Sequence, residues 1–141
     1  MSRFTIAVDI PAPPEQVWAV IADVERWPEW TPSVTEIRRL DRGPLVVGSR
    51  ARIRQPRLLP ATWEVTELVQ GRGFTWVTRS PGVQVMAQHE VVPLGSGSRA
   101  TLSVRFAGPL AALVARMTKG LNQRYLQLEA DGLRARSVRS A

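Results

Sequence analysis

The chain has 141 residues, 44% hydrophobic and 22% charged, a balance that fits one globular domain with a core large enough to stand without staples. It contains no cysteine, which excludes disulfides, thiolate metal sites and a cysteine nucleophile, and its single histidine offers no spacing for a metal site. The net charge is +7 at pH 7, yet 18 of its 19 basic residues are arginines, dispersed from Arg3 to Arg139, with Lys119 the sole lysine; no nucleic-acid recognition motif accompanies them, so no nucleic acid is expected as a partner.

Phe4, Ile6, Val8 and Ile10 alternate with Thr5, Ala7 and Asp9, the pattern of a half-buried strand. Pro11 to Pro14 stop it, and Pro14-Glu15 suits the first turn of a helix. Val17, Val20, Ile21 and Val24 then recur at helical spacing, which predicts a short helix over 14–23, with a second helical turn around 26–30 beside Pro28. Strands are predicted near 34–40, 48–55, 61–69, 73–79, 83–92 and 99–107, separated by glycine- and proline-rich breaks. Connections this short demand antiparallel neighbours, hence a six-stranded meander with the N-terminal strand added at an edge.

Gly108-Pro109 opens the last element, a stretch of helical periodicity from Leu110 to Arg136. Leu110, Leu113, Val114, Met117, Leu121, Tyr125 and Leu128 read as its buried stripe, and Gly120 marks a close approach to the sheet or a bend. A helix of that length spans about 40 Å, enough to cross the sheet. Residues 1–136 are expected to form the domain, and 137–141 a frayed tail.

Strand parity predicts which residues face that helix. Trp63, Trp76, Val85, Ala87, His89, Leu102 and Val104 point inward, with Gln55 on the inner face of its own strand. Either these residues fill an ordinary core, or a steeply curved sheet outruns one helix and leaves a cavity that they line with Met117, Leu121 and Tyr125. His89 is a satisfied core residue, a group that orients a ligand, or a base. Glu67 shares the inward parity of Trp63 and Val65, and a buried unpaired carboxylate is costly. A rim position, an arginine partner or a bulge would relieve it; true burial would make it a candidate base. Trp27 and Trp30 are expected to seal one end of the sheet. Arg50, Arg52 and Arg54 fall on one outer strand face, a solvated surface or a phosphate-binding patch.

Several stretches carry a family resemblance: Ile10-Pro11-Ala12-Pro13-Pro14-Glu15-Gln16-Val17-Trp18, then Asp23 to Pro32, Val47-Gly48-Ser49-Arg50, Trp63-Glu64-Val65-Thr66-Glu67, and the terminal helix. With this order of elements the chain resembles the START-like (SRPBCC) superfamily, in particular its polyketide cyclase/dehydrase-like branch. The resemblance implies an α+β helix-grip fold, with a seven-stranded antiparallel sheet curved around a long C-terminal helix and two short helices after the first strand. It implies a hydrophobic or aromatic ligand of lipid, polyketide or quinone type in a cavity between sheet and helix. Alternatives are a cyclase or dehydratase that positions its substrate and moves protons through His89 or Glu67, and an interaction module that uses the basic sheet face. No cofactor motif is visible and no apolar window is long enough to span a membrane. The first nine residues reach a charge too early for a secretory segment, so a cytoplasmic monomer or homodimer is expected.

Overall fold

The computed structural model describes residues 2–139. In chain order the elements are β1 (Ser2–Ile10), α1 (Pro14–Ala22), a 3₁₀ helix (Val24–Glu29), β2 (Glu36–Arg39), β3 (Arg50–Arg54), β4 (Ala61–Val69), β5 (Gly73–Ser80), β6 (Val83–Leu94), β7 (Gly97–Ala107), α2 (Ala111–Met117) and α3 (Lys119–Arg139). The strands form one antiparallel sheet in the order β1-β7-β6-β5-β4-β3-β2. This is the expected meander with β1 added beside β7, and the sheet curves around the C-terminal helical segment.

One end of the molecule is solid. Val17 and Ile21 of α1, Val24 and Trp27 of the 3₁₀ helix, Ile53, Val65, Phe74, Trp76 and Val91 of the sheet and Leu133 of α3 pack into one cluster. Trp27 is fixed there because its indole N–H donates to the Ile21 carbonyl at 3.1 Å. Gly132 lets α3 lie directly on the Trp30 backbone, since a Cβ at this position would collide with the Trp30 carbonyl. The tryptophan pair thus seals this end, as expected. Towards the other end the contacts thin into two smaller groups, Leu102 with Leu126 and Ala130, and Phe106 with Ala111 and Ala115.

The C-terminal helix departs from its expected form in three respects. First, it is interrupted at Thr118, whose hydroxyl donates to the Val114 carbonyl at 2.7 Å and accepts from Asn122 Nδ2 at 2.9 Å. A side chain that hydrogen-bonds the preceding turn competes with the backbone and bends a helix. Gly120 lies next to the interruption and approaches nothing, so the bend is the surviving reading of the two offered for it.

Second, the buried face follows the expected stripe only in part: Tyr125 is buried and Val114 lines the space beside the sheet, whereas other members of the stripe face solvent. Met117 is 75% exposed and Leu113 55%. The buried residues are Ala111, Ala115, Tyr125, Leu126, Ala130, Leu133 and Ser137. The buried face thus mixes small side chains (Ala111, Ala115, Ala130, Ser137) with Tyr125, Leu126 and Leu133. Third, α3 continues through Arg139 with Ser137 fully buried, so the fraying expected from 137 does not occur in residues 137–139. Residues 140 and 141 lie outside the described residues.

Candidate functional site

Between the concave face of the sheet and the α2–α3 segment lies a cavity of about 270 Å³. Its sheet wall includes Trp63, Trp76, Val85, Ala87, His89, Leu102 and Val104, all placed there by strand parity. Gln55 lines it from the end of β3 and Tyr125 from α3. Met117 and Leu121 are corrected: neither belongs to the wall, because the helix turns Val114, Thr118, Asn122, Leu126 and Glu129 inward instead.

Glu67 also leaves the interior. The β4–β5 pairing steps from Val65 opposite Trp76 to Glu67 opposite Thr75, so Thr66 is one residue too many for the ladder. A bulge of this kind reverses side-chain parity beyond it. Glu67 therefore becomes exposed, while Leu68 turns in to pack on the core. Of the escapes considered for this carboxylate, the bulge is the one realised.

His89 is buried within a group of rings. It stacks on Phe74 with centroids 4.6 Å apart, and its centroid lies 5.0 Å from that of Trp27 and 5.9 Å from that of Trp76. Its Nδ1 is 3.4 Å from the Phe74 carbonyl. Burial without a carboxylate neighbour pushes the imidazole pKa down to about 4, so it is neutral at pH 7. His89 therefore lacks the acidic partner that would equip it as a base.

The opposite wall carries a polar group that escaped the sequence reading. Glu129 projects from α3 and accepts a hydrogen bond from the Ser33 hydroxyl at 3.1 Å. Ser33 is held in turn by Thr31, with the two hydroxyls 2.8 Å apart, and by Gln55, whose Nε2 donates to the Ser33 carbonyl at 3.3 Å. Burial pushes the Glu129 carboxyl up to about 7, and the Ser33 hydrogen bond offsets only part of that. Nearby, the Tyr125 hydroxyl donates to the Pro56 carbonyl, which ties α3 to the β3–β4 loop.

On the outer face, Arg50, Arg52 and Arg54 point to solvent as parity predicts. Arg54 stands opposite Glu36 and Arg50 opposite Glu64, whereas Arg52 stands between Arg38 and Thr62, so carboxylates flank the row at its two ends and the middle stays basic.

The sequence matches the family described as polyketide cyclase / dehydrase and lipid transport over residues 1–138. The chain belongs to that family. No curated protein matches it. Among solved structures it resembles an aromatase/cyclase from a Streptomyces species, with a TM-score of 0.79 at 17% identity over 98% of this chain and 94% of that one. A Thermus thermophilus protein gives 0.78 at 18% identity over 99% of both chains. A START superfamily protein from Mycobacterium smegmatis gives 0.72 at 15% identity, covering 94% and 97%. Identities this low establish the helix-grip fold and leave the chemistry to the site itself.

Glu129 was legible in principle. It lies four residues after Tyr125 and three after Leu126, on the face that α3 turns to the sheet. The apolar stripe reached this face at Tyr125 but continued through Leu128, and Glu129, as a charged residue, was left off it.

Proposed function

We propose that the protein binds an apolar, ring-bearing small molecule between sheet and helix. The observation that carries this reading is the cavity, walled by tryptophan and aliphatic side chains with a few polar groups placed to orient a ligand. A volume of about 270 Å³ is at the small end of ligand sites, which run from roughly 300 to 1,000 Å³. Compact fused rings of polyketide or quinone type suit it better than a long acyl chain. A cyclase or dehydratase is the second reading, motivated by the family description and by the structural likeness to an aromatase/cyclase. It needs a group that exchanges protons near neutral pH. His89 and Glu67 are not so placed, which leaves Glu129 as the candidate.

Naphthalen-1-ylmethanol is a suitable neutral probe. At 100 times its dissociation constant it should stabilise the fold by about 2.7 kcal/mol, a rise in melting temperature of roughly 6–10 °C. Filling the space with Ala87→Phe, or with Val104→Phe if the first variant does not fold, should remove that rise. A rise of equal size in the filled variant would place binding elsewhere and refute the cavity as the site.

A further inference from the structure

We propose that the cavity selects apolar ring compounds bearing one basic nitrogen, with the ligand's ammonium seated on the Glu129 carboxylate. The inference rests on the binding role above and narrows its ligand class.

The first observation is a reversal of charge. The chain carries 19 basic residues against 12 acidic ones, yet among the described residues no arginine or lysine lines the cavity, and its one carboxyl is Glu129. An anionic ligand would find no cationic partner there and would face a carboxyl group instead. The neutral His89 does not replace a cation, because its surroundings are aromatic rings and its Nδ1 is directed at the Phe74 carbonyl.

The second observation is the direction of the hydrogen bonds around Glu129. Ser33 spends its hydroxyl proton on the carboxyl, so the 2.8 Å contact with Thr31 must run from the Thr31 hydroxyl to the Ser33 oxygen. The Ser33 backbone N–H donates back to Thr31 Oγ1 at 3.3 Å, which fixes the donor chain in place. Every proton in this chain points towards Glu129, an arrangement that favours the carboxylate over the acid. Ser33 nevertheless supplies one donor to a group with about four acceptor sites. The Tyr125 proton is already committed to the Pro56 carbonyl. Glu129 is therefore an under-supplied acceptor in a cavity wall, and an ammonium brings both the missing protons and the missing charge.

The third observation is the ring wall. Trp76 has its centroid 5.4 Å from that of Trp27 and 6.0 Å from that of Trp63, and all three line the cavity. Indole faces accept both an apolar ring and the polarised C–H groups beside a cationic nitrogen.

The test uses three probes of one shape on the intact protein: naphthalen-1-ylmethylamine, naphthalen-1-ylmethanol and 1-naphthoic acid, titrated calorimetrically at pH 7.5. The amine should bind about tenfold or more tightly than the alcohol, as a charge-assisted hydrogen bond predicts, and the acid should bind weakest. Net charge cannot produce that order, since a positive protein attracts the acid. In Glu129→Gln the preference of amine over alcohol should vanish while the alcohol remains bound. Equal affinity for amine and alcohol, strongest binding of the acid, or an amine preference that survives in Glu129→Gln would each overturn the inference and leave the cavity reading standing. Binding of none of the three would overturn both. The wild-type ranking decides the matter even if the variant fails to fold.

Discussion

On the sheet side of the cavity, His89 lies among Phe74, Trp27 and Trp76 and is held neutral; on the helix side, Glu129 faces the same space with Ser33 as its hydrogen-bond donor. Burial acts on both groups by the same physics and with opposite sign. It disfavours the charged form, which lowers the pKa of a base to about 4 and raises that of an acid to about 7. The histidine is thereby silent at neutral pH, whereas the carboxyl is divided between its two forms. A buried titratable residue thus has no fixed role: a ring stack makes His89 part of the wall, and an incomplete donor set makes Glu129 a contact point.

The strongest way to break this comparison is to remove the ring stack. Trp76 is 2% exposed and touches Trp27, Trp63, Phe74 and His89, so Trp76→Ala should destabilise by about 3–5 kcal/mol in urea denaturation. A loss below about 1 kcal/mol, within the scatter of ordinary surface changes, would show that the rings do not hold the sheet wall together.

The pH profile sharpens the comparison further. The His89 pKa is depressed from 6.5 to about 4, so the unfolded state binds more protons in that window and stability is lost as pH falls through it. The Glu129 pKa is raised from 4.5 to about 7, so the native state binds more protons there and stability is lost as pH rises through it. Each contributes a slope of about 1.4 kcal/mol per pH unit, and from 4.5 to 6.5 the two oppose. Relative to the parent, Glu129→Gln should gain stability as pH rises, up to about 3 kcal/mol by pH 8. His89→Gln should show the opposite relative slope, holding up better towards pH 4 whatever its loss of packing. Urea midpoints measured across this range check both slopes, and difference profiles that stay flat would contradict the assignment.

The smallest expected effect lies outside both walls. Met117→Asp should change stability by no more than about 0.5 kcal/mol, because the side chain is 75% exposed. Had the large apolar stripe been buried, the same change would have forced an unpaired charge into the core. A loss of several kcal/mol would therefore show Met117 to be buried and overturn the placement of the α2 face.

The strands and their inward faces could be read from the sequence because side-chain direction along a strand has a period of two and each break was marked by glycine or proline. Trp63, Trp76, Val85, Ala87, His89, Leu102 and Val104 reached the cavity wall on that rule alone. Glu67 departs from the rule through the bulge that was one of the readings open for it; parity alone could not choose among them, since a bulge depends on the neighbouring strand and not on local composition. The helix was harder. Its periodicity was plain, but the interruption at Thr118 and the packing of the other elements decide which face is covered: Tyr125, Leu126 and Leu133 are buried while Leu113 and Met117 are exposed. The pairing of Glu129 with Ser33 joins residues 96 apart in the chain. Only the packed tertiary structure brings them together, because the cost of burying the carboxyl and the hydroxyl that offsets it come from different elements.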